Sequence, residues 1–378
     1  MARLVSEMGD ELALIALLFR LKDSGPVAVS GLLATFAATR IVLAPLTGTV
    51  VDRFATRRLI VTVSCAQFAV TTLLAFADGF ALYLLVFALA VGGAIIGPTW
   101  QSFIAAVVPS DRLSKTYAFI QTFRSLAIVC GAGLGGLLVD SFGSRNALLI
   151  NATTFLFVAI VGATLQTQRS PMSTGRGRAE LVQGFRVLFE RPVLRWSLFL
   201  LASFNMSAGV IEVMGVFLVT DDLGGSARDY GFVVGALGVS MVATGAVLSR
   251  AQPRGKDTTL LMVSALTSAT GMAIYGFAPN VVVAISAFLV NGAGLTGLHV
   301  FGTPIVVRHT QEPERGRVFA ATSSVTTGGI LLATGIAGAV GTAFAARQVI
   351  VSAALLCILC AVFGGMSIRR SDRDESVS

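Results

Sequence analysis

Gly48-Thr49-Val50-Val51-Asp52-Arg53-Phe54-Ala55-Thr56-Arg57-Arg58 packs four charges into seven positions between two apolar runs. The run 41–48 ahead of the cluster carries no charge, and a second apolar run opens at Leu59. A polar cluster this short, wedged between two such runs, reads as a tight loop at a membrane surface. Gly48 lets a neighbouring helix approach closely. Asp52 is placed to pair with a basic side chain or to accept from the free N–H groups of a helix start. Arg53, Arg57 and Arg58 mark the side that stays in the cytoplasm.

The rest of the chain agrees with that reading. Of its 378 residues 54% are hydrophobic and 13% charged, against about 25% charged in a typical soluble domain. Mean hydropathy is +0.81. The apolar runs recur along the whole chain at lengths near the roughly 20 residues needed to cross a bilayer, so the chain reads as a polytopic membrane protein. Twelve spans are expected: 3–21, 28–51, 59–76, 80–108, 117–139 and 146–166, then 194–219, 230–248, 259–277, 281–307, 318–343 and 348–368. The first opens just after Met1 and holds three carboxylates, so either the bundle shields it or the true start lies upstream. Its opening residues are acidic, which is not the pattern of a cleavable signal peptide.

Net charge is +8, but its placement excludes a nucleic-acid face, because the basic residues sit in short loops between spans. With the N-terminus inside, 21 of the 28 Lys and Arg fall on the cytoplasmic side, and Arg20, Lys22, Arg145, Arg228 and Arg347 fall opposite. Both termini are therefore expected in the cytoplasm. The segment 167–193, with a Ser/Gly/Arg-rich start and an amphipathic stretch at 180–190, is the expected linker. It divides an N-terminal six-helix bundle (1–166) from a C-terminal one (194–368), which is followed by a cytoplasmic tail (369–378).

The halves echo each other. Gly48-x-x-x-Asp52-Arg53-x-x-x-Arg57 recurs as Gly245-x-x-x-Ser249-Arg250-x-x-x-Arg254, and Gly92 with Gly97 matches Gly292 with Gly297 in spacing. Two runs, Gly131-Ala132-Gly133-Leu134-Gly135-Gly136 and Gly292-Ala293-Gly294-Leu295-Thr296-Gly297, contain Gly-x-Gly-x-x-Gly. A dinucleotide site needs these glycines between a strand and a helix start. Here they lie inside long apolar spans, where small residues serve helix packing. Cys65, Cys130, Cys357 and Cys360 likewise read as packing residues, with no metal site expected. No phosphate-cradling Gly-x-x-x-x-Gly-Lys-Ser/Thr occurs, so no nucleotide cofactor is expected and active transport would draw on an ion gradient.

The 48–58 loop resembles the one between helices 2 and 3 of the major facilitator superfamily, Gly-x-x-x-Asp-Arg-x-Gly-x-Arg-Arg. Only Ala55 departs, standing where glycine is usual; alanine tolerates positive φ poorly, so the turn is expected to differ. Ser6-x-x-Gly9-Asp10 resembles the first helix of the branch that includes the enterobactin exporter and related drug exporters. The glycine run of span 5 resembles the superfamily's signature there, with Ala132 in place of the usual proline. The resemblance implies an all-α fold of twelve transmembrane helices in two pseudo-symmetric bundles, a transporter and not an enzyme, monomeric in the cell membrane. It further implies secondary transport by alternating access: proton-coupled efflux, in antiport, of a small hydrophobic or amphipathic compound. Gly48, Asp52, Arg53, Arg57 and Arg58 would form the cytoplasmic gate.

Ionisable side chains inside spans point to function, since each costs roughly 2.5–3.5 kcal/mol at a helix centre. Glu7, Asp10 and Glu11 are spaced to share one helical face. A carboxylate screened from water is a natural proton carrier, which makes Asp10 and Glu212 the coupling candidates, with Arg40 or Arg124 as partners. In the superfamily spans 1, 4, 7 and 10 line the central cavity, which would add Trp100, Gln101, Asn205 and His299 as substrate contacts. Two alternatives are an uptake carrier for a polar solute and a non-transporting sensor or scaffold on the same fold.

Overall fold

Backbone placed in hydrocarbon must satisfy its own N–H and C=O groups, and the apolar runs do so as helices. The structure, a computed structural model, describes residues 2–108, 110–165, 185–251 and 257–377. The Asp52 side chain and the surroundings of Gly48 lie outside the described set.

The helices are α1 (Ala2–Leu21), α2 (Pro26–Arg53), α3 (Thr56–Leu74), α4 (Gly79–Val107), α5 (110–142) and α6 (144–163). They continue with α7 (Pro192–Phe217), α8 (Ala227–Ala251), α9 (Asp257–Gly276), α10 (Val281–Arg308), α11 (Glu312–Val340) and α12 (Ala346–Val377). This is the all-α, twelve-helix fold expected from the sequence. By length and composition ten stretches suit a membrane crossing, with α5 and α6 counted as one. Among the described helices α1 is the exception, because of its carboxylates. Of the expected linker, 167–184 lies outside the described residues, and 185–190 forms a short helix ahead of α7. The tail continues α12 as helix through Val377.

The connections follow from local chemistry. Between α2 and α3 the turn uses Phe54 (φ −112°, ψ 149°) and Ala55 (φ −62°, ψ 131°), both extended. The missing glycine is thus accommodated by a turn that needs no positive φ. In place of the expected loop over 140–145, Gly143 alone (φ 77°, ψ 162°) separates α5 from α6. At the start of α10 the Asn280 side chain accepts from Val283 N at 3.0 Å, an N-cap.

Two units result: 1–175 with 226–235, and 176–225 with 236–378. In the first, α1 lies against α5. A Cβ on Gly131 would stand 2.7 Å from the Met8 carbonyl oxygen, and one on Gly135 2.9 Å from Leu12 Cα. These contacts are backbone against backbone, the packing role expected for this run. Arg20 of α1 closes the end of α3, donating to the carbonyls of Leu74 (3.0 Å) and Ala75 (3.1 Å) and to Asp78 Oδ1 (2.9 Å).

In the second unit a core of Leu200, Phe204, Ala265, Ala269, Leu298, Phe301 and Cys357 joins α7, α9, α10 and α12. The Tyr275 hydroxyl donates to the Gly215 carbonyl at 3.1 Å. Arg347 caps the end of α9 through the carbonyls of Gly276 (3.1 Å) and Ala278 (2.9 Å). The glycine echo between α4 and α10 conceals different neighbours. Gly92 abuts Gln67 of α3, whereas Gly292 abuts Ser240 of α8 and Gly297 abuts Ser264 of α9.

Candidate functional site

α1 presents Glu7, Asp10 and Glu11 on one face, and all three line a cavity of about 170 Å³ inside the first unit. Arg40 of α2 and Arg124 of α5 line the same space, as do Ser64 and Gln67 of α3 and Trp100 of α4. Three carboxyl groups and two guanidinium groups are thereby gathered from three helices. The helical spacing of the acids explains their convergence, since side chains three and four positions apart lie side by side.

The walls are polar where α3 contributes. Gln67 is buried, and the buried Ser64 Oγ has no hydrogen-bond partner among the described residues. Trp100 has both a packing and a lining role. Its ring meets Phe103 edge-on at 5.9 Å and sits against the cluster of Ile60 and Val158.

The sequence candidates divide accordingly. Asp10, Arg40, Arg124 and Trp100 come together in this cavity. Gln101, next along α4, is exposed, and Glu212 of α7 is half-buried; neither lines it. Asn205, also on α7, turns its amide to its own helix, donating to the Leu201 carbonyl at 2.8 Å. His299 lines a separate cavity of about 270 Å³ in the second unit, between α7, α10 and α11. In the 48–58 segment, expected from the sequence as a gate, Arg53, Arg57 and Arg58 are exposed. Ser64 and Gln67 were not anticipated as lining residues. The available signal was Gln67 as the sole amide side chain of α3.

The lining thus brings acidic and basic groups together in one polar cavity. As counted from sequence, three acids against two bases leave one formal negative charge, which one bound proton neutralises.

Comparison with known proteins follows the geometry. The family model of the Major Facilitator Superfamily matches residues 1–256 and 212–378. The chain is 25% identical over 343 residues to the uncharacterized MFS-type transporter YfiS of Bacillus subtilis (strain 168), covering 85% of this chain and 81% of the relative. It is 23% identical over 288 residues to multidrug resistance protein MdtG of Dickeya zeae (strain Ech586), covering 74% and 70%. The fold superposes on a crystal structure of the nucleoside transporter NupG with a TM-score of 0.76 at 12% identity, covering 98% of both chains.

Proposed function

The chain belongs to the Major Facilitator Superfamily, a family of multi-pass membrane transporters and not of enzymes, and from that premise we propose that it exports small hydrophobic or amphipathic compounds in exchange for protons. The two bundles, 1–166 and 194–368, alternate access to a central site, as is general for this architecture. The protein works as a monomer in the cell membrane with both termini in the cytoplasm, as its loop charges favour. The multidrug name carried by one relative supports export over uptake.

The observation that carries the coupling is Asp10 sharing one cavity with Arg40 and Arg124. A carboxylate that shares a cavity with two guanidiniums changes its hold on a proton when a conformational change alters its distance from either. Glu212 on α7 is the second carrier. Trp100, Gln101, Asn205 and His299 contact the substrate. Gly48, Asp52, Arg53, Arg57 and Arg58 form the latch that holds the cytoplasmic side shut against the start of α11.

The test is efflux of a fluorescent amphipathic dye from cells making wild type, Asp10→Asn or Glu212→Gln, with and without a protonophore. The reading expects efflux above empty cells that the protonophore and Asp10→Asn each abolish. Wild type moving no more dye than empty cells, at good membrane levels, removes export of such compounds. Efflux indifferent to the protonophore removes the proton.

A further inference from the structure

The start of α7 carries a basic and aromatic surface that the transport reading does not use. Trp196 meets Phe199 edge-on at 5.8 Å and Phe363 of α12 edge-on at 5.3 Å, so two helices hold its indole in place. The Arg195 guanidinium carbon lies 5.6 Å from the centre of a Trp196 ring, within reach of a cation–π contact. Arg195 is exposed and pairs with no carboxylate among the described residues. The neighbouring acids are already engaged, Glu190 by Arg186 at 2.6 Å and Glu314 by Arg191 at 3.2 Å. The Trp196 indole N–H likewise makes no hydrogen bond among the described residues.

An apolar stripe runs up to this point. Phe363 faces Trp196, and a Cβ on Gly364 would stand 2.9 Å from Leu200 Cγ, so the last turns of α12 lie beside the first turns of α7. Leu356, Leu359 and Phe363 are exposed, and their spacing sets them on one face of α12. That stripe is about 10 Å long at 1.5 Å per residue. Arg370 continues the same face two turns past Phe363. Asp374 falls on it one turn further and offsets Arg370, so Arg195 carries the free positive charge. An exposed cation and an indole donor at the head of an apolar stripe match a molecule with a negative headgroup and an acyl chain. A soluble anion would leave the stripe unused, and an uncharged lipid would leave Arg195 unmatched.

We propose that the start of α7 and the end of α12 form a site for one anionic phospholipid. Its phosphate accepts from Arg195 and from the Trp196 indole N–H, and one acyl chain lies along Leu356, Leu359 and Phe363. Basic sites between membrane helices hold anionic headgroups in this way on the cytoplasmic side. That the lipid belongs to the cytoplasmic leaflet rests on the proposed placement of the termini. Its binding rests on neither that placement nor proton-coupled export.

Native mass spectrometry of the purified full-length protein in detergent reads bound lipid directly. Phosphatidylglycerol and phosphatidylcholine with identical acyl chains are titrated in parallel. The expected result is a single phosphatidylglycerol retained under conditions that strip phosphatidylcholine. Arg195→Gln is expected to lower the bound fraction about fivefold, the effect of one basic residue near a charged membrane surface. Because Arg195 is exposed, the melting temperature of that variant without lipid stays at the wild-type value. Arg250→Gln, which removes an equally exposed charge from α8, is expected to retain the lipid as wild type does. Equal retention of the two lipids overturns the proposal, as does an equal loss in Arg195→Gln and Arg250→Gln, since overall charge is then the cause. Displacement of the lipid by inorganic phosphate also overturns it, because the site then reads the phosphate alone and the apolar stripe adds nothing.

Discussion

Arg191 and Glu314 stand 123 positions apart in the chain, yet Arg191 Nη2 donates to Glu314 Oε2 at 3.2 Å. The same guanidinium donates through Nη1 to the His309 carbonyl. Glu314 in turn accepts from the Gln311 backbone N–H at 3.3 Å, completing the capping box that starts α11. One residue before α7 thereby holds the end of α10 and the beginning of α11. This clamp sits in the second unit near the apolar cavity, whose wall includes Leu188 of the short helix ahead of Arg191.

Glu314→Ala removes the cap and the ion pair together. Loss of a cap costs about 1 kcal/mol, or about 2–4 °C of melting temperature for a unit of this size. Glu314→Gln keeps an acceptor for the Gln311 N–H and loses less. Thermal melting of the purified protein in detergent checks the order: wild type highest, then Glu314→Gln, then Glu314→Ala.

Small residues in α5 do unequal work. A Cβ on Gly136 would stand 3.0 Å from Gly231 Cα and 3.1 Å from Arg228 Cα, whereas one on Gly133 meets nothing within 4 Å. Gly136→Ala forces backbone apart and costs about 1–3 kcal/mol as overpacking, whereas Gly133→Ala is expected to be silent. Yield of monodisperse protein on size-exclusion chromatography and melting temperature separate the two. Equal behaviour of the variants contradicts the close approach of α5 and α8.

In the proposed coupling the charges of the first-unit cavity act as a set. Arg124→Gln leaves three carboxyl groups facing one guanidinium, and dye efflux falls about tenfold or more, equivalent to about 1.4 kcal/mol of barrier. Asp10→Asn combined with Arg124→Gln restores the charge count without restoring the proposed proton carrier. That double variant is expected to move dye down its gradient and to fail to accumulate it against one. Transport assays in vesicles with and without an imposed pH gradient distinguish these outcomes.

At the proposed gate segment, Arg53, Arg57 and Arg58 are exposed, so their replacement leaves packing intact. If the segment is the proposed latch, Asp52→Asn is expected to reduce transport about tenfold with the melting temperature unchanged, because a latch acts on the equilibrium between conformations. A drop in melting temperature that matches the loss of transport would make the segment structural.

The helices themselves were legible because hydrocarbon leaves the backbone no other way to satisfy its polar groups. The span expected at 281–307 is the helix Val281–Arg308. Ends were less legible where nothing breaks a helix once the apolar run stops. Thus α5 begins at Ser110 where the apolar pattern begins at 117, and α12 runs through the charged tail. The α5–α6 connection was hidden because a single positive-φ glycine replaces a loop, and apolar periodicity does not report φ. In the site, Asp10, Arg40 and Arg124 announced themselves because charges in apolar runs must converge on something other than lipid. Ser64 and Gln67 did not, since uncharged polar residues in a helix carry little positional signal. The Gly92 and Gly292 echo matched in spacing and differed in neighbours, because spacing along one helix says nothing of which helix faces it.

The most direct test of the central claim is proton movement in proteoliposomes. Purified protein is reconstituted with a trapped pH-sensitive dye, a pH gradient is imposed, and an amphipathic substrate is added. Wild type is predicted to dissipate the gradient in proportion to substrate, and Asp10→Asn to leave it standing. Substrate movement with no accompanying change in internal pH, or an Asp10→Asn trace that overlays wild type, would contradict the account.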